Sequence, residues 1–168
     1  MGATVAKHDM LIQIDTDHIF PKESAEDLLS LQLSDYSWYR FPRYRIGKAD
    51  ETRKKDQIPD NADFGKIKPH IDSYLCSKLV YWEVGGYNEN YSGCLGGGGP
   101  FLKRMKEVAG EPILLPENIR LNVYTRDKIK DASVSDLSRD KTEFKKRRKL
   151  YGSKKAENPL RFDWCKLN

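Results

Sequence analysis

Leu11-Ile12-Gln13-Ile14-Asp15-Thr16-Asp17 is the stretch on which the fold turns. Apolar residues suited to a sheet interior run directly into two acids separated by one residue. An extended backbone sends alternate side chains to the same face, so the pattern predicts a strand that presents Asp15 and Asp17 together at its end. Two carboxylates held that close repel each other unless a cation lies between or beside them. An all-oxygen set suits Mg²⁺ or Mn²⁺, and those ions in turn suit diphosphates. The competing reading of the same residues is a strand followed by an acidic turn, where Asp is common.

A second segment, Lys78 to Arg104, reads K-L-V-Y-W-E-V-G-G-Y-N-E-N-Y-S-G-C-L-G-G-G-G-P-F-L-K-R. Leu79–Val84 is an aromatic-rich, helix-like piece that stops at Gly85-Gly86, because glycine accepts positive φ without Cβ strain. Tyr87 and Glu89 follow, and then a glycine-dense loop from Gly93 to Gly99. Pro100 opens an amphipathic helix, since proline is tolerated in a first turn.

In this order, Asp15-Thr16-Asp17 and Gly85-Gly86-Tyr87-Asn88-Glu89 resemble the two motifs of the glycosyltransferase-A fold, in particular the nucleotide-sugar transferases of the family-two type. The resemblance implies an α/β chain: a partial glycosyltransferase-A (nucleotide-diphospho-sugar transferase) fold, its mixed sheet flanked by helices and its N-terminal nucleotide-binding half largely missing. It implies Mn²⁺ or Mg²⁺ on Asp15 and Asp17, holding the diphosphate of a nucleotide-sugar donor while the sugar passes to an unknown acceptor. Trp82, Gly86, Tyr87 and Asn88 then fall on the substrate side, with Trp82 and Tyr87 able either to stack on a sugar face or to serve as core. In many relatives the glycine loop leads into an acidic pair that supplies the base or orients the acceptor. Gly98-Gly99 stand there in this chain, which leaves Glu89 as the candidate base. Many relatives also use a late histidine as third metal ligand; no histidine follows His70, so His18 is the nearest candidate.

The remaining chain divides into a domain over residues 1–135 and a basic C-terminal helix or tail over 136–168. Helix Glu23–Leu31 carries Ala25, Leu28, Leu29 and Leu31 on its apolar side, and Tyr36–Phe41 reads as a strand, which the resemblance places beside the metal-site strand. Arg40, Arg43 and Arg45 around Pro42 are either a charge-holding set for diphosphate or a solvated strand edge. Gly47 to Pro69 is polar and aperiodic, read as a mobile loop or a plain insertion. Ile71–Ser77 returns as a strand near the core, Ile113–Leu115 and Ile119–Val123 supply late apolar pieces, and Ser135 or Asp136 caps a further helix.

Composition narrows the class. The 168 residues suffice for one core, and 38% hydrophobic with 33% charged content leaves room for polar loops. No apolar run reaches the roughly 18 residues of a membrane span. Three cysteines form neither a zinc pattern nor a disulfide framework, which favours a reducing, cytoplasmic setting. The net charge of +5 is concentrated between Lys141 and Lys155, a run suited to phosphate surfaces or simply to solvent. No stacking platform or known module accompanies it, so nucleic acid is not the expected partner. Two further readings stay open: an inactive or split remnant that needs an N-terminal partner chain, and a basic binding module.

Overall fold

The computed structural model describes residues 2–48, 65–91, 98–125 and 141–152. The described chain is mixed α/β, with two four-stranded mixed sheets and flanking helices. The strands are β1 (Met10–Gln13), β2 (His18–Ile19), β3 (Trp38–Arg40), β4 (Arg43–Lys48), β5 (Gly65–Ile67), β6 (Tyr74–Ser77), β7 (Ile113–Leu114) and β8 (Leu121–Thr125). The helices are α1 (Gly2–Val5), α2 (Lys22–Leu29), α3 (Lys78–Glu83), α4 (Gly98–Ala109) and α5 (Lys141–Tyr151), with a 3₁₀ turn at Glu89–Tyr91. Among the described residues no helix is long and apolar enough to cross a membrane.

Four chain segments each give one strand to either sheet. The first sheet runs β1-β6-β3-β7 and the second β2-β8-β4-β5. The chain crosses from one sheet to the other at residues 14–17, at Phe41-Pro42, at 68–73 and at 115–120. Pro42 suits its crossing: it has no N–H to give a ladder, while its carbonyl accepts from Leu121 N–H at 2.9 Å. Arg40 O accepts from Leu115 N–H at 2.9 Å one step earlier, so segments 38–48 and 113–125 run side by side through the seam.

The first sheet is covered on both faces. Trp38, Tyr74 and Cys76 pack with Val80, Val84, Phe101, Leu102 and Met105 of α3 and α4. The alternate residues Tyr39 and Leu75 pack with Leu28 of α2 and with Phe41, Leu115, Ile119 and Leu121. This is why β6 is buried at every position and reads as a near-continuous run rather than an alternation. Each large side chain withdrawn from water in this way contributes about 1.5–3 kcal/mol.

Helix ends follow from local chemistry. Ser77 caps α3 by accepting from Val80 N–H at 3.1 Å, and the helix stops where Gly85 and Gly86 take φ of 86° and 64°. Gly110, at φ 75°, closes α4 and offers its carbonyl to the Trp38 indole at 2.7 Å. On its inner side α5 meets the 3₁₀ turn: Phe144 and Tyr151 flank Tyr91, and Arg147 donates to Asn90 O at 2.9 Å.

Several expectations change. β1 ends at Gln13, and its apolar residues are only half covered, with Ile12 44% exposed on an edge strand. β3 does not lie beside β1; β6 separates them, pairing antiparallel with both. Helix α2 spans Lys22–Leu29, and Leu29 points to solvent at 87% exposure, because its register places only Leu28 against the core. The ends of the Gly47–Pro69 segment include strand, with β5 antiparallel to β4, while its middle lies outside the described residues. Cys94, Cys165, most of the glycine loop and the Ser135 or Asp136 cap also lie outside the described residues.

Candidate metal centre

The Asp-Thr-Asp triplet is the crossing of the first segment. Asp15 O accepts from His18 N–H at 3.0 Å and Asp15 Oδ1 accepts from Thr16 N–H at 2.9 Å, so the backbone turns instead of continuing extended. The two acids therefore meet by a tight turn, which corrects the expected alternation along a strand. β2 then carries His18 and Ile19 onto β8, opposite Val123 and Asn122.

One ligand atom from each of Asp15, Asp17 and His18 lies within 4.8 Å of the others. The Asp15 side chain is 40% exposed and that of Asp17 35%, whereas His18 is 1% exposed. Arg43 Nη1 lies 3.1 Å from His18 Nε2. A guanidinium can only donate, so Nε2 accepts and the ring proton resides on Nδ1. That nitrogen faces Asp17 Oδ1 at 2.8 Å, but without hydrogen-bond alignment, and both atoms are buried without a hydrogen-bond partner. Burial, opposed by Asp17 and reinforced by His70 and Arg43, holds the His18 pKa below its ordinary 6.5. A neutral ring with its proton on Nδ1 and its Nε2 lone pair taken up by Arg43 has no lone pair to offer a cation. The two carboxylates are thus the groups that would hold a cation, and the orphaned Asp17 Oδ1 fits a hard divalent ion.

The seam supplies the surroundings. Ser73 Oγ accepts from Asp15 N–H at 3.3 Å, and His70 Nδ1 stands 3.5 Å from Asp15 Oδ2 with its ring 5.0 Å from that of His18. Arg40, expected to hold donor charge, spends Nη2 on Pro69 O at 2.7 Å, while its Nε is buried without a hydrogen-bond partner. Burial lowers the pKa of both Arg40 and Arg43; guanidinium groups nonetheless stay charged at neutral pH.

The second motif is held by a residue that the sequence reading passed over. Arg104 is 5% exposed and donates from Nε to Val84 O at 3.0 Å and from Nη2 to Gly86 O at 2.6 Å. The signal was its place on the apolar side of α4, three residues after Phe101. Gly86 lies so close to Tyr81 that a Cβ would meet the ring at 3.2 Å. Tyr87 stacks on Phe101, centroids 4.3 Å apart and planes 14° from parallel, so one ring face belongs to the core. Trp82 is 37% exposed and meets Tyr81 edge-on. Asn88 is buried, and its Oδ1 accepts from Asn90 N–H at 3.0 Å, shaping the 3₁₀ turn that begins at Glu89. The Glu89 side chain lies outside the described atoms.

The two motifs approach each other through the turn at residues 70–73. Burial raises the Tyr87 pKa, the hydrogen bond with Tyr74 lowers it, and the charge of Asp72, also passed over in the sequence, raises it further. No family model, no curated protein and no solved structure matches this chain.

Proposed function

We propose that this chain is a glycosyltransferase-A-type domain that transfers a sugar from a nucleotide-diphosphate donor to an acceptor hydroxyl, with Mn²⁺ or Mg²⁺ held by Asp15 and Asp17. The observation that carries the reading is the meeting of both carboxylates, one with an unpartnered buried oxygen, at a seam that also holds Arg43. When bound, the cation supplies stabilisation of the charge that grows on the leaving diphosphate. Asp15 is fixed by Ser73 and by its own turn, Asp17 by contact with His18, and His18 by Arg43. This chain of supports pre-sets the carboxylates, so little ordering remains to be done on donor binding. Trp82, partly exposed on α3, and Tyr87 are the aromatic surface that this reading assigns to the sugar.

The exposed arc of α5, with Lys145, Lys146, Arg148 and Lys149, supports a second reading as a polyanion-binding module. Calorimetric titration separates the two. Uridine or guanosine diphosphate should bind only with Mn²⁺ present, and Asp15→Ala and Asp17→Ala should each weaken that binding at least about 10-fold. Metal-independent binding of nucleic acid that falls steeply with salt, with no diphosphate binding, would instead favour the module.

A further inference from the structure

Asp72 stands where the two motifs meet. Its turn is tied to Asp15 through Ser73 Oγ, and Asp72 N–H donates at 3.3 Å to His70 Nδ1, which stands 3.5 Å from Asp15 Oδ2. On the other side, its carboxylate lies over the first residue of α4. A Cβ at Gly98 would stand 2.0 Å from Asp72 Oδ1 and 3.1 Å from Cγ, closer than any side chain allows. A side chain at 98 would therefore displace the Asp72 carboxylate from this place.

The half-buried carboxylate has no ion pair or hydrogen-bond donor among the described residues. Burial first, and Asp15 to a lesser degree, hold its pKa above the ordinary range, while His70 opposes them. The carboxylate is half open to solvent and is held by no donor among the described residues. It adjoins the metal carboxylates without belonging to the group whose ligand atoms converge. Transfer to a hydroxyl needs such a carboxylate: near the cation site, outside its coordination, and uncommitted.

We propose that Asp72 is the catalytic base, taking the proton of the acceptor hydroxyl; the inference rests on the transferase reading above. The hydroxyl oxygen bonds to the anomeric carbon as the bond from that carbon to the diphosphate oxygen breaks. The bonding pair leaves with the diphosphate, and the acceptor proton ends on the Asp72 carboxylate. No further reactant is required.

A plain structural role would be that of a cap for the N-terminus of α4, in which asparagine serves about as well as aspartate. Asp72→Asn therefore separates the roles. The probe is a panel of UDP-glucose, UDP-N-acetylglucosamine and GDP-mannose with Mn²⁺, with diphosphate release to water as the turnover and calorimetry for binding. Asp72→Asn should keep metal-dependent diphosphate binding and Tm close to wild type, while turnover falls about 100-fold or more at unchanged donor KM. Gly98→Asp alone should also be impaired, and Asp72→Ala with Gly98→Asp should regain turnover by bringing a carboxylate into the same space.

Wild-type turnover in Asp72→Asn, with binding intact, overturns this inference alone. Absence of any metal-dependent diphosphate binding by the wild-type chain overturns the transferase reading and this inference with it. If the wild type binds but releases no diphosphate, a crystal structure of its Mn²⁺–UDP complex decides. An Asp72 carboxylate facing the sugar site and clear of the ion supports the role, and one that ligates the ion or turns away from that site excludes it.

Discussion

Arg104 is a cation spent on backbone carbonyls. The helix end at Val84 and the turn at Gly86 leave carbonyl oxygens with no helical partner, and one guanidinium serves both. Arg104→Leu should destabilise the fold by about 3 kcal/mol, since hydrogen bonds to charged groups are worth about 1.5–3 kcal/mol each and the carbonyls would be left unpaired. Denaturant unfolding measures it as a lower midpoint at unchanged slope. His18 gives a second prediction. Its pKa in the folded chain lies below the ordinary 6.5, so the unfolded chain takes the proton more readily. The associated stability is complete above about pH 6.5 and is lost as pH falls from there through the folded value. In chelator-treated protein, the unfolding midpoint should fall over that window, and His18→Gln should flatten the fall. That Asp15 and Asp17 come together was legible from their spacing, although a turn and not strand alternation brings it about. Asp72 was not, because a lone acid in a Pro-His-Ile-Asp-Ser stretch has no periodicity to mark it.

Elements were legible where one residue settles the backbone. Gly85 and Gly86 marked the end of α3, and their positive φ shows why. The strand expected over Ile71–Ser77 forms only from Tyr74, after a turn, and Cys76 lies near the core as expected, fully buried and unpaired by any disulfide. The order of strands was not legible. β6 lies between β1 and β3 because Leu11 and Trp38 both register with Cys76, a choice made by packing between distant segments. Leu29 was misplaced for a related reason: the helical pattern allows it a core position, and only the tertiary contact of α2 decides between it and Leu28. Because β6 is the inner strand of a sheet covered on both faces, Cys76 provides a probe of that cover. Its thiol is pushed up to about 12 by burial. In a Cys94→Ser, Cys165→Ser background, thiol reagent at pH 8 should label Cys76 only at the rate of global unfolding, in step with added denaturant.

At the scale of the whole molecule, length and composition allowed one core, the resemblance implied a mixed sheet flanked by helices, and neither indicated two sheets sharing four segments. Segments 65–77 and 113–125 lie on opposite flanks of 38–48 in the two sheets, an arrangement that no local pattern encodes. It has a consequence for synthesis on the ribosome. Asp15 leans on Ser73, 58 positions later, and β2, which closes the far side of the same turn, pairs with Asn122 and Val123. Closing loops of that length precedes any reward from the contacts they bring together. A nascent chain that has emerged only as far as α4 carries Asp15, Asp17 and Ser73 but lacks the strand on which β2 is laid down. β8 supplies that strand, so the turn that carries both acids is held on its far side only when the fold is finished.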